Sequence, residues 1–167
     1  MKMIKTMGVA AGLFLAIICQ AQTKAIGISE LDSCMTVDSK PILVLLSTDW
    51  CKYCQMQKNQ LLKNKDFQNA GDLFYYVLFD AESKEKVRLH GQDYSFKPTG
   101  VSTGVHELAI ALNGSDKLAF PTWVLLDKNY QVLFRHQGVL APKQLAGLFR
   151  TMQELSKKQQ NEIGETN

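Results

Sequence analysis

Pro41-Ile42-Leu43-Val44-Leu45-Leu46-Ser47-Thr48-Asp49-Trp50-Cys51-Lys52-Tyr53-Cys54 is the stretch on which the reading of this chain turns. It opens with a continuous apolar run and no polar alternation, the pattern of a strand buried on both faces. Ser47, Thr48 and Asp49 break that run. From Gln55 to Lys65 the chain is rich in good helix formers. The two cysteines therefore fall where a central strand ends and a helix begins.

Outward from there, Leu73 to Phe79 is another apolar and aromatic run and predicts a second strand. Strand, helix and strand in that order make a parallel unit with a right-handed crossover. Thr122–Leu126 and Gln131–Phe134 are short β-rich runs. Asp127-Lys128-Asn129 between them are turn formers, which predicts an antiparallel hairpin. Pro142 suits the first position of a last helix, with Leu145, Leu148, Phe149 and Met152 on one face. Upstream, Ser29 is a candidate N-cap for a short helix over residues 29–38. Residues 81–118 form a long connector. Within it Val105, Leu108, Ala109 and Leu112 keep helical spacing, with Thr103 as N-cap and Gly114 as stop, but residues 81–103 show no clear period. From Ser156 the chain turns polar, which predicts a flexible tail over 156–167.

Composition bounds the rest. The chain has 167 residues, 46% of them hydrophobic and 21% charged, enough for one core and one domain. Residues 1–21 read as an export signal: Lys2 and Lys5, an apolar run from Met7 to Cys19, and Ala21 as the small residue at the cleavage point. That run is short for a membrane span, which needs about 20 apolar residues, so no stable membrane insertion is expected after cleavage. Without Lys2 and Lys5 the net charge falls from +3 to +1. Such a balance gives no reason to invoke nucleic acid. Export to a periplasmic or extracellular setting favours disulfides and leaves Cys34, Cys51 and Cys54 of the four cysteines. Cys34, on a helix face, reads as a small buried hydrophobe.

Two cysteines one turn apart at a helix start have a physical logic. A single turn brings the sulfurs together. The free N–H groups and the positive helix end favour a thiolate on the first cysteine, and Lys52 adds charge of the same sign. Cys51 is then the exposed nucleophile, and Cys54 the resolving thiol that attacks a mixed disulfide. The same spacing also serves as half a zinc site or as a structural bridge. Zinc wants four ligands, no second pair exists, and Cys34 with His90, His106 or His136 matches no known spacing. His106 itself reads as solvent-facing or internally satisfied, and Trp123 and Tyr130 as core or sheet-face residues.

Trp50-Cys51-Lys52-Tyr53-Cys54 after a buried strand resembles the active site of the thioredoxin superfamily, and Phe120-Pro121-Thr122 resembles its second signature. The resemblance spans roughly residues 40–155 and is nearest to secreted bacterial thioredoxin-like proteins with an enlarged connector. It implies an α/β thioredoxin fold over residues 22–155: a central mixed sheet flanked by helices, with an insertion between the second core strand and the cis-proline strand. It implies a cis bond before Pro121, a substrate strand paired to the backbone of Phe120, and support of the pair by Trp50, Lys52, Tyr53 and Thr122. It implies dithiol–disulfide exchange with exported proteins, the reductase direction favoured, with no metal or cofactor and with a membrane electron donor as a candidate partner. The rival readings are a metal-carrying or partner-binding module without turnover, and a structural platform built on the connector. One departure stands out: thioredoxins keep a buried Asp where this chain has Leu45, and Asp49 is expected at the surface.

Overall fold

The computed structural model describes residues 23–164, with side chains described to Lys157. The segment read from the sequence as an export signal, with Cys19 and Ala21, lies outside the described residues. The apolar run of the sequence becomes β2 (Ile42–Ser47), buried at every position. Burial on both faces requires a central place in the sheet. β2 pairs in parallel with β3 (Tyr75–Asp80) on one side and antiparallel with β8 (Thr122–Leu126) on the other. β1 (Ala25–Ile26) adds to β3 in parallel, and β9 (Val132–Gln137) adds to β8 antiparallel, giving the order β1-β3-β2-β8-β9.

The two-residue period of β2 divides the core. Ile42, Val44 and Leu46 point to one face, where they join Val77, Phe79 and Val124 beneath α1 (Leu31–Val37) and α4 (Glu107–Asn113). Leu43 and Leu45 point to the other, with Trp123, Leu125 and Tyr76. There they meet Leu61 of α2 (Lys52–Lys63), Phe67 of α3 (Lys65–Gln68), and Leu145, Phe149 and Met152 of α5 (Pro142–Gly164). A mixed sheet between two helical layers is the architecture the sequence predicts.

Several boundaries differ from the sequence reading. Ser29 does not cap a helix: Ile28–Glu30 form a 3-10 turn and Glu30 is the N-cap of α1. The helix after the cysteines stops at Asn64, whose side chain accepts the Phe67 N–H at 2.9 Å and so starts α3. β9 runs on to Gln137 rather than ending at Phe134. α5 continues to Gly164, past Ser156 where the polar composition predicts a flexible tail; Lys, Gln and Glu are polar but favour helix. Cys34 is half-exposed and unpaired rather than buried.

The connector is the largest difference. Residues without a visible period fold into two small hairpins: β4 (Val87–Leu89) with β5 (Gln92–Tyr94), and β6 (Phe96–Pro98) with β7 (Gly104–His106). His90 and Gly91 both have positive φ, 49° and 77°, as a two-residue hairpin turn requires. Gly104 is enforced by proximity, since a Cβ there would sit 2.6 Å from the Lys97 carbonyl oxygen. α4 does end at Gly114, at φ 77°, but its N-cap is His106 and not Thr103. The His106 ring is fully buried: Nδ1 accepts the Leu108 N–H at 3.1 Å and Nε2 lies 2.9 Å from the Glu85 carbonyl oxygen. Its roles are therefore structural. Tyr130 is in the β8–β9 turn, not on the sheet; it stacks on His90 and donates to Asp32 at 2.6 Å, tying the connector to α1.

Candidate active site

β2 runs into the short turn 48–50, and the chain then enters α2 with Cys51 as its N-cap. Cys51 and Cys54 are joined by a disulfide with Cα atoms 5.2 Å apart. Cys51 Sγ also accepts the Cys54 N–H at 3.1 Å, one of the donors a helix start leaves unpaired. The sulfur of Cys51 thus sits at the positive end of a three-turn helix, which favours its thiolate once the bond is reduced. Cys54 is fully buried. Cys51 is the more accessible of the two, but at 4% exposure it is far less open than the sequence reading implies.

The second motif arrives through sheet register. Thr122 lies opposite Leu46, so Pro121 is brought to the end of the sheet from which the chain passes into Cys51. The Phe120–Pro121 peptide bond is cis. The Phe120 ring meets the Trp50 ring edge to face at 6.2 Å. Thr122 is buried and donates to the Ala119 carbonyl oxygen at 2.6 Å, closing the turn before the strand. Trp50, Cys51, Cys54, Phe120, Pro121 and Thr122 are therefore gathered at one end of the sheet. Lys52 and Tyr53 are exposed on the first turn of α2, Tyr53 at 66%, outside that cluster.

Three residues of this neighbourhood escape the sequence reading. Glu82, just after β3, accepts the Trp50 indole N–H with both carboxylate oxygens, each at 3.1 Å. Gly138, after β9, donates its N–H to the Pro121 carbonyl oxygen at 2.7 Å. Gln57, one turn beyond Cys54, is fully buried and accepts the Leu140 N–H at 2.7 Å. None sits in a local motif. The one sequence signal is a glutamine among the inward positions of α2, with Cys54 and Leu61.

The position six residues before Cys51 is apolar. Leu45 is buried between Leu78 of β3 and Trp123 of β8. Asp49 is exposed, as the sequence predicts. The Thr48 hydroxyl and the Trp123 indole N–H are buried with no hydrogen-bond partner among the described residues. Among those residues no set of three or more His, Cys, Asp or Glu side chains comes together as a metal site would need, and no helix is long and apolar enough to cross a membrane.

Comparison with known proteins agrees with this fold. The family described as thioredoxin-like domain matches residues 35–153, and the chain belongs to it. Its fold is similar to that of the DsbH oxidoreductase, at 17% identity and TM-score 0.52 over 89% of this chain and 96% of that one. It is similar also to a thioredoxin of Malassezia sympodialis, at 20% identity and TM-score 0.50 over 79% and 93%. At these identities the likeness is one of fold. No curated protein matches the chain in sequence.

Proposed function

We propose that this protein is a thiol–disulfide oxidoreductase that reduces disulfides in exported proteins. The observation that carries the reading is the Cys51–Cys54 disulfide at the start of α2, at the same sheet end as the cis bond before Pro121. In the reduced protein the Cys51 thiolate attacks a substrate disulfide, forms a mixed disulfide and releases one substrate thiolate. Cys54 loses its proton and attacks Cys51 Sγ. The Cys51–Cys54 bond closes and the second substrate thiolate leaves. The substrate gains two electrons and this protein loses them, so a dithiol donor must restore it. A membrane protein carrying such a dithiol is the partner class we propose. The periplasmic or extracellular setting rests on the sequence of residues 1–21.

The remaining residues support an extended polypeptide. The backbone of Phe120 pairs with the substrate strand, and Trp50 with Phe120 forms an aromatic wall beside the sulfurs. Lys52 favours thiolate over thiol at the helix start. A metal-carrying role would need a third ligand beside the pair, and no observation favours it.

Equilibration with glutathione tests the reading. A potential near the thioredoxin value of about −270 mV supports a reductase, one near about −120 mV an oxidant. A pair that does not cycle refutes the enzyme. Cys51→Ser is expected to abolish exchange, whereas Cys54→Ser accumulates mixed disulfides with substrate. Normal release from the Cys54 variant would reverse the assignment of roles.

A further inference from the structure

Gln57 is a fully buried primary amide on a helix that turns Lys52, Tyr53, Gln55 and Met56 to solvent. Buried amides need partners, and those of Gln57 are specific. Its Oε1 accepts the Leu140 N–H at 2.7 Å. Its Nε2 donates to Gln60 Oε1 at 3.0 Å and lies 3.5 Å from the Leu140 carbonyl oxygen. Leu140 is itself buried, so its backbone groups have little access to water. It belongs to the short segment between β9 and α5. The other end of that segment is Gly138, at φ 108°, whose N–H holds the Pro121 carbonyl oxygen. One series of bonds thus runs from the helix that carries Cys54, through the Gln57 amide and residues 138–140, to the cis-proline. No hydrogen bond joins Gln57 to either sulfur among the described residues.

From this we infer that Gln57 is a positioning residue for polypeptide substrates: it locks residues 138–140 to α2 and so fixes the backbone bonded to Pro121 as one wall of the path a polypeptide takes. The inference rests on the disulfide-exchange reading above. A small disulfide needs only the sulfurs and does not sense that wall, whereas a polypeptide must lie along it. The two classes of substrate should therefore respond differently to loss of the amide.

Gln57→Leu keeps the helix propensity of the side chain and removes its polar atoms. With insulin as the protein disulfide, KM is expected to rise about tenfold, the scale of one net hydrogen bond, with kcat within about twofold. With the small aromatic disulfide DTNB the rate is expected to stay within about twofold, since nothing at the sulfurs has changed. Equal losses on both substrates, or no loss on either, overturn the inference. Gln57→Met repeats the comparison in an unbranched apolar side chain of similar length. Should neither variant fold, amide hydrogen exchange in the wild-type protein decides. The Leu140 amide is expected to be as protected as those of α2, and exchange as fast as that of an exposed turn such as Gly91 overturns the lock. If the wild-type protein turns over neither disulfide, the exchange reading falls and this inference with it. If it turns over both and the variants show no split, only the inference falls.

Discussion

Replacing Glu82 with alanine isolates the restraint on Trp50, the residue immediately before the cysteine pair. The indole is 68% exposed, so the core does little to fix it. Two contacts do: the N–H shared between both Glu82 oxygens at 3.1 Å, and the edge-to-face packing on Phe120 at 6.2 Å. A hydrogen bond to a charged group is worth about 1.5–3 kcal/mol when shielded. This one is solvated, and exposed charged pairs measure no more than about 1 kcal/mol. The aromatic contact adds about 0.5–1.5 kcal/mol. Glu82 is partly preorganised, because its own N–H donates to Asp80 Oδ1 at 3.0 Å. Removing the carboxylate therefore frees about 1 kcal/mol of restraint, a change of about fivefold in the population of the held ring. Global stability should fall by no more than that, or about 4 °C in Tm. Acrylamide quenching provides a clean readout: of the two tryptophans Trp123 is fully buried, so quenching reports Trp50. Glu82→Ala is expected to raise quenching, lower the fluorescence anisotropy and raise KM for insulin up to about fivefold. Glu82→Gln, which keeps a carbonyl acceptor, should fall between. Unchanged quenching and unchanged KM in the alanine variant would refute the role given to this carboxylate.

Two further predictions concern the scaffold. Phe149 of α5 is buried against Phe74, whose ring lies parallel at 6.2 Å, and against Phe67 at 5.7 Å; Phe149→Ala should cost about 3–5 kcal/mol in urea denaturation, and a loss under about 1 kcal/mol would show that this layer is not close-packed. Glu107 accepts the backbone N–H and the hydroxyl of Ser95 at 2.9 and 3.0 Å, and these bonds, aided by the nearby charge of Lys97, hold its carboxyl below the usual 4.5. A carboxyl whose folded pKa is depressed stabilises the fold above its unfolded pKa, and that contribution is lost as pH falls through the folded one. The wild-type advantage over Glu107→Gln should therefore be present at pH 7 and shrink as pH falls below the ordinary carboxylate range of about 4.3, as thermal melts across an acid series can check; an advantage that grows on acidification would contradict the assignment.

What the sequence disclosed depended on how far apart the interacting residues lie. β2 was legible because burial on both faces leaves an unbroken apolar run, and α5 because four apolar residues recur at helical spacing. Cys51 and Cys54 were legible because their chemistry needs only one turn of helix. The connector was not, because three-residue strands are too short to establish a period. The positive-φ turn at His90-Gly91 was the available signal, yet His is a less familiar first residue for such a turn than Asn or Asp. The cap at His106 was hidden for a similar reason: imidazole rarely plays the part that Thr103, three residues earlier, is better known for. Glu82, Gly138 and Gln57 lie outside any motif, and their partners are 32, 17 and 83 residues distant. Only the folded sheet brings such pairs together.

The apolar residue at position 45 bears on how the site can work. At the position of Leu45 an acid would face Trp123 across β8 and Leu78 across β3, and a charge there would be desolvated with no cation among those neighbours. Leucine avoids that cost and joins the packed layer of Leu43, Trp123 and Leu125. The chemistry must then draw its polarity from the rim and the backbone. The first turn of α2 supplies the N–H that meets Cys51 Sγ and the positive helix end behind it. Gly138 orients the Pro121 carbonyl, and Glu82 orients the Trp50 indole. On the proposed mechanism, attack by Cys51 expels a substrate thiolate beside the pair. That thiolate is a base of matched affinity for the resolving proton, generated at the step that needs it. A buried carboxylate is therefore not a physical requirement of the exchange.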